Sequence, residues 1–293
     1  MSMELISDYM RDEKSRHMLN DLTRKTFGFD FEGWVTKGYY EGEYIPYSLA
    51  EDGKMLSNVS ANRMRFLQNG AEKYYIQLGT VMTDEDYRRR GLAARLIKHV
   101  IAEYENDCDG IYLFGNLDAL GFYEKMGFRM MDQYRYFVKS EYCKRDEQKP
   151  AFRALTDLDD TVKSRYLETV RNCLDRSSFA QTNKYGLQMF YTGEMDNVYY
   201  AEDIDCFIVT ENEDVPILQS VLCRENVPLS EVLARIDPDG DRCALGFTPL
   251  AEDMDLCTAE KYDGADDYRL FYIGDGVRSI ERDRLYFPDL SHA

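Results

Sequence analysis

The sequence predicts an α+β protein of two consecutive domains, residues 1–145 and 151–293. Three observations carry this. Strand-like runs alternate with amphipathic helical stretches in both halves. A charged segment ending in proline, Lys144–Pro150, separates them with almost no apolar residues. The charge is also unevenly divided. Residues 1–145 hold 21 Lys+Arg against 23 Asp+Glu, and the remainder holds 15 against 31, so nearly all of the net charge of −18 lies in the second half.

The chain of 293 residues is long enough for two such domains. At 44% hydrophobic and 31% charged, it reads as soluble and globular. No apolar run approaches the roughly 20 residues of a membrane span. The opening MSMELISDYMRDEK has early acids and no apolar block, so no signal peptide is expected. Seven cysteines are scattered without CxxC spacing, as suits buried thiols in a reducing cytoplasm. The three histidines lie far apart, which leaves a metal site unsupported. An acidic second half excludes nucleic acid, whose phosphates need cations. It would attract a cationic acceptor such as an amine, or simply confer solubility.

In chain order, Leu5–Phe27 reads as a helix. Tyr44–Leu49 and Met55–Phe66 read as a hairpin about Glu51–Lys54, and Gln68–Ala71 turns into a strand, Lys73–Thr83. A helix from Arg89 to Tyr104 carries Leu92, Leu96, Val100 and Tyr104 on one stripe. Ile111–Phe114 is a short buried strand, followed by a helix over Leu117–Lys125 that ends at Gly127. In the second half, Asp157–Asp175 and Pro228–Ile236 read as helices. Val198–Ala201, Cys206–Thr210, Pro216–Cys223, Arg242–Phe247 and Tyr268–Ile273 read as strands, with a turn at Asp237–Gly240.

The chemistry concentrates where the strand Lys73–Thr83 leads through Arg88-Arg89-Arg90-Gly91-Leu92-Ala93 into a helix. A helix start offers unpaired N–H groups and partial positive charge, a cradle for phosphate. Gly91 and Ala93 let a diphosphate reach the main chain, and three arginines add charged donors. Gly79, inside the strand, marks a bulge or a close ligand approach. A bulge there would splay this strand from Ile111–Phe114 and leave Val81-Met82-Thr83 free to pair with an amide-bearing ligand. Directly after the second strand, Asn116 is placed to bond a ligand lying between the strands. Tyr123 follows two helical turns on, pointing to the same face or packing in the core.

Arg88-x-x-Gly91-x-Ala93 resembles the acyl-CoA motif of the GNAT (GCN5-related N-acetyltransferase) superfamily. Asn116-x-x-Ala119-x-x-x-Tyr123-x-x-x-Gly127-Phe128 resembles its second CoA motif. Residues 4–140 are covered. The resemblance implies a GNAT fold, with a mixed central sheet flanked by helices, and acetyl-CoA as cosubstrate with no metal. It implies that Val81-Met82-Thr83 pair with the pantetheine arm and that the N–H groups of Arg89 to Ala93 hold the pyrophosphate. Asn116 would contact the CoA arm, Tyr123 would protonate the departing thiolate, and an N–H near Val81 would stabilise the oxyanion. The partner is a small-molecule amine, with no nucleic acid and no membrane. The central strand offers Gln77 and Gly79 where the superfamily often has a basic Glu, leaving Glu41 and Glu43 as candidates or as solvated surface. The cluster Trp34, Tyr39, Tyr40 and Tyr44 stands where an acceptor wall would form, or packs in the core. A non-catalytic acyl-CoA-binding module and a protein N-acetyltransferase are the rival readings.

Residues 151–293 lack both motifs, yet their order of elements resembles a degenerate GNAT half, with Leu245-Gly246-Phe247 echoing Met126-Gly127-Phe128. No glycine turn follows Cys223, so this half is not expected to bind CoA. The tandem resembles the enhanced-intracellular-survival type of acetyltransferase. That family adds a sterol-carrier-like domain whose C-terminus reaches the active site. This chain is too short for one, so no terminal-carboxylate role is expected.

Overall fold

The chain opens with a strand. β1 (Glu4–Ser7) pairs antiparallel with β2 (Tyr44–Glu51), and α1 runs only from Glu13 to Phe27. The single helix expected over Leu5–Phe27 is corrected by two local signals. Asp8 has a φ of 52°, which turns the chain. The Asp12 carboxylate accepts the Ser15 N–H at 2.8 Å, capping a helix that starts after it. The computed structural model describes residues 3–212, 214–236, 242–264 and 268–293. The turn expected at Asp237–Gly240 lies outside them.

α2 (Glu32–Thr36) leads to β2, β3 (Lys54–Gln68) and β4 (Ala71–Thr83), an antiparallel ladder. Its turns are two residues each, Asp52-Gly53 and Asn69-Gly70, all at positive φ. This is the geometry that follows strand twist and selects Asp-Gly and Asn-Gly. α3 (Leu92–Tyr104) crosses to β5 (Gly110–Gly115), which lies parallel to β4. α4 (Leu120–Glu124) and β6 (Arg129–Met131) follow.

The next strand leaves this sheet. β7 (Gln133–Val138) precedes the charged segment 144–150 but pairs with strands of the second half. That half runs β8 (Arg153–Ala154), α5 (Asp160–Asn172), β9 (Phe179–Gln181), α6 (Tyr185–Thr192), β10 (Val198–Ala201), β11 (Cys206–Glu211), β12 (Ile217–Cys223), α7 (Leu229–Leu233), β13 (Cys243–Leu245), β14 (Cys257–Tyr262), β15 (Arg269–Ile273) and α8 (Ser279–Arg282). The first sheet has the order β1-β2-β3-β4-β5-β15-β6, with β9 on β3. The second has the order β14-β7-β13-β12-β11-β10-β8. The second half therefore lends two strands to the first sheet, β15 between β5 and β6 and β9 on β3, and the first half lends β7 to the second, between β13 and β14. The segment at 144–150 does not divide the sheets. In both, an antiparallel ladder ends in one parallel pair, β4 with β5 and β12 with β13, so the second half repeats the first.

α3 buries Leu92, Leu96, Val100 and Tyr104, the stripe read from sequence, on Ile76, Leu78, Ile111 and Leu113. The sheet's other face carries Phe66, Tyr75 and Tyr112. It is covered by the chain after β15, with Phe287 stacked on Tyr112 at 4.1 Å between centroids. The last residues are thereby drawn toward the point where β4 and β5 part.

Residues 1–145 expressed alone should lack a cooperative unfolding transition. They would leave β5 and β6 unbridged and the face of Tyr75 and Tyr112 bare. Near-ultraviolet circular dichroism with urea titration reads this, and a sharp transition would contradict it.

Candidate active site

β4 and β5 pair at only three positions, Tyr75 with Gly110, Ile76 with Ile111 and Gln77 with Tyr112. Beyond Gln77 no strand among the described residues covers that edge of β4. On its other edge the register with β3 slips between Asn58 and Ser60, and Thr80 and Val81 stand out of the ladder. Thr80 has a φ of 40°. The bulge expected from Gly79 thus sits one residue further on. Buried side chains hold it. Asn58 donates to the Thr80 carbonyl at 3.0 Å, the Thr80 hydroxyl meets Tyr44 at 2.8 Å and Ser60 at 3.0 Å, and Ser48 donates to Asn58 at 2.8 Å. Unmade, such buried bonds would each cost about 1–3 kcal/mol. The network therefore fixes where the strands diverge.

At the mouth of the splay the chain turns through Arg88–Arg90 into α3. Gly91 is its N-cap at φ 76°, and no side chain caps the helix. Nothing lies within 4 Å of the position a Cβ would take on Gly91, so the cradle is open. Arg88 donates to the Thr83 carbonyl at 3.3 Å and Arg90 to the Asp86 carbonyl at 2.9 Å, which tether the turn to the end of β4. All three arginines are exposed. The Leu92 side chain is buried in the core and Ala93 half-buried, so only their main chain faces a ligand. Such a turn suits a diphosphate.

Asn116 is the N-cap of a short 3-10 turn and accepts the Asp118 N–H at 2.7 Å, so its first task is local. Tyr123 on α4 is buried against Phe271 of β15 and Phe128. Desolvation raises its phenol to about 12, and its hydroxyl makes no hydrogen bond with the described residues. It keeps its proton near neutral pH. Val81, Leu92, Leu113 and Tyr123 belong to one cluster, so the pieces read separately from sequence do meet around the splay.

Behind the bulge opens a chamber of about 420 Å³. Phe31, Trp34, Tyr44, Phe114 and Phe190 wall it, with Glu41 and Glu43 also on its lining. Trp34 donates to the Gly186 carbonyl at 2.7 Å, which locks α2 to α6 of the second half. Glu41 is ion-paired with Arg171. Of the four aromatic residues singled out in the sequence, Trp34 and Tyr44 line the chamber. Tyr39 packs against Tyr185, and Tyr40 donates to the Tyr44 carbonyl. The last residues enter here too. The main-chain oxygen of Ala293 lies so close to Gly79 that a Cβ there would collide with it, and Gln77 donates to it at 3.5 Å. The last residues reach this place from the second half itself. No local motif announces this; Gly79 was the only trace. Among the described residues no cluster of three or more His, Cys, Asp or Glu could hold a metal, and no helix is long and apolar enough to cross a membrane.

Residues 4–128 match the sequence model of the Acetyltransferase (GNAT) family. The match lies within the first half and takes in the elements from β1 to α4. A probable N-acyltransferase from Enterococcus faecalis V583 is similar in structure over 93% of this chain and 72% of its own, at 13% identity and a TM-score of 0.58. A GCN5-related N-acetyltransferase from Kribbella flavida covers 92% and 71%, at 13% and 0.55. Eis1 from Mycobacterium abscessus covers 92% and 73%, at 11% and 0.55. At such identities the likeness concerns fold, and it spans both sheets. No curated protein matches the sequence.

The GNAT-like second half differs at the equivalent cleft. β12 and β13 pair in parallel only at Ile217–Leu218. Beyond, the chain's own residues 176–178 fill the gap. Arg176 donates its N–H to the Val221 carbonyl at 3.1 Å, and Ser178 to the Thr248 carbonyl at 3.1 Å. The Arg176 guanidinium bonds Asp253, Glu252 and Asn226, beside the loop that replaces the phosphate turn.

Calorimetric titration with CoA should accordingly show one site per chain, abolished by Gly91→Glu, which sets a strained, charged side chain in the cradle. Two equivalents would mean that residues 176–178 yield to ligand. Gly79→Ala should displace Ala293 and cut kcat about tenfold or more at nearly constant acetyl-CoA affinity. Unchanged steady-state kinetics would show that the close contact is dispensable.

Proposed function

We propose that the protein transfers an acetyl group from acetyl-CoA to a primary amine of a small molecule held in the aromatic chamber. The observation that carries this reading is a single junction. An open anion cradle and an unpaired strand edge lie on one side of the Thr80–Val81 bulge, and an aromatic chamber lies on the other.

The residues fit the cosubstrate. The main chain of Val81-Met82-Thr83 offers an edge for the pantetheine amides. The N–H groups opening α3, with Arg88, Arg89 and Arg90 around them, suit a pyrophosphate. Asn116 borders the arm. Acetyl-CoA supplies an activated acyl carbon with a thiolate leaving group. The acceptor nitrogen attacks that carbon from the chamber side, and an N–H at the bulge stabilises the oxygen as charge builds there. Tyr123 donates its proton to the sulfur. Burial keeps the phenol protonated at neutral pH, so it has a proton to give. The nitrogen sheds its proton to water or to the Glu43 carboxylate on the lining, while Glu41 is tied to Arg171. A chamber of about 420 Å³ suits a small molecule, and the acidic second half favours a cationic one.

One observation favours a non-catalytic acyl-CoA-binding module: Tyr123 is packed among phenylalanines and serves the core without acting as an acid. Release of free CoA thiol with an amine panel separates the two. Tyr123→Phe keeps the ring and removes the proton. It should lower kcat by about a hundredfold while acetyl-CoA affinity holds. Equal turnover would remove Tyr123 from the mechanism, and no turnover with any amine would leave the binding module.

A further inference from the structure

The aromatic chamber is graded along its length. Phe27, at the end of α1, stacks on Phe29 with 5.9 Å between centroids. Phe29 meets Phe31 at 5.5 Å, Phe31 meets Tyr44 at 4.9 Å, and the Tyr44 hydroxyl bonds Thr80 at 2.8 Å. All of these residues line the chamber, so an unbroken track of rings runs from the surface to the bulge. Exposure falls along it, from 48% and 37% at Phe27 and Phe29 to 3% and 5% at Phe31 and Tyr44. Phe190 of α6 flanks the track, 5.6 Å from Phe29 and 6.0 Å from Phe31. Tyr191 and Tyr268, also exposed, stand on the same lining. Exposed rings gathered at one cleft mark a surface that a ligand covers.

The polar groups of this lining are largely engaged with one another. The Trp34 indole donates to the Gly186 carbonyl, and the Tyr191 hydroxyl to that of His292. Asn62 gives its amide hydrogens to Ser60 and to the Gln77 carbonyl, at 3.0 Å each. The Thr80 hydroxyl is held by Tyr44 and Ser60. A polyhydroxylated acceptor would exchange water for rings and leave its own hydroxyls short of partners. Among the described residues no lysine or arginine is on the lining, while Glu41 and Glu43 are, so an anionic acceptor finds no counter-charge there. A cationic head on an apolar body meets both conditions.

We propose that the acceptor is an arylalkylamine, a primary amine on a short alkyl chain that ends in an aromatic ring. The ring lies against Phe27, Phe29 and Phe190 at the mouth, and the chain follows Phe31 and Tyr44 so that the amine arrives at the bulge. This names the substrate class of the acetyl-transfer reading above and rests on it.

Butylamine, phenylbutylamine and glucamine are primary amines that carry, in turn, no further group, a ring and a row of hydroxyls. At saturating acetyl-CoA, phenylbutylamine should have a kcat/KM about thirtyfold above that of butylamine, as burial of one ring warrants, with glucamine no better than butylamine. Phe27→Ala with Phe29→Ala should cut the preference to about threefold, through KM and not through kcat. Both acceptors are read on one preparation, so any loss of folded protein cancels from the ratio. Equal values for phenylbutylamine and butylamine would overturn the proposal, as would a preference for glucamine or a preference unchanged in the double variant. Should acetyl-CoA bind while none of the three is acetylated, it is the transfer reading that fails. Trp34 is the chain's one tryptophan and lines the chamber, so its fluorescence then decides the ring site by itself. A change on adding phenylbutylamine that butylamine does not give supports the site, and the same response to both overturns it.

Discussion

The reciprocal exchange of β7 and β15 is the constraint on which the rest of the molecule depends. β15 is the partner that closes the gap between β5 and β6, and Phe271 within it packs on Tyr123. Because β15 must lie in the first sheet, the chain after it starts from the first half's own surface. Its apolar residues Val277, Ile280, Leu285 and Phe287 then have one face to cover, that of Tyr75 and Tyr112. The end of the chain is brought to Gly79 as a consequence of strand pairing and apolar burial, without any loop built for the purpose. The same exchange makes the sheets interdependent, since each core is missing a strand without the other half.

Within that frame the splay of β4 and β5 is a local event with a polar cause. A strand could continue its ladder past Gln77. The bulge prevents it, and Asn58, Ser60 and Tyr44 hold the bulge by bonding Thr80, one of the two residues out of register. Backbone in the left-handed region is strained for threonine, and such strain persists where the surroundings over-determine it. The result is an unpaired strand edge facing an uncapped helix start, with an aromatic chamber behind.

The two halves show how one scaffold keeps or loses a cleft. In the first, the diverging strands stay open and the helix after them begins at Gly91. In the second, Arg176–Ser178 satisfy the diverging strands from within, and Arg176 meets carboxylates and an amide where the other half has its phosphate turn. The repeated half instead walls the aromatic chamber, with α6 locked onto Trp34.

Much of this was legible in the sequence because it is local. The turn residues Asp52-Gly53 and Asn69-Gly70, the stripe on α3, the glycine at the start of that helix and the motif from Asn116 to Phe128 each act within a few residues of themselves. The α+β class and the first half's GNAT fold follow from them. The start of α1 was misread because Asp8 and Asp12 act through one φ angle and one cap, too little to alter an apolar pattern. What only the tertiary structure decided is non-local. β7 and β15 carry apolar and aromatic residues that would suit either sheet, and pattern alone does not say which gap a strand will fill. The placing of Ala293 against Gly79 depends on that choice. So does the mating of Trp34 with Gly186. Sequence determined which pieces could exist, since propensity and turn chemistry are properties of neighbouring residues. Pairing across more than a hundred positions determined which pieces meet, because that is settled by the burial of surfaces that exist only once the sheets have formed.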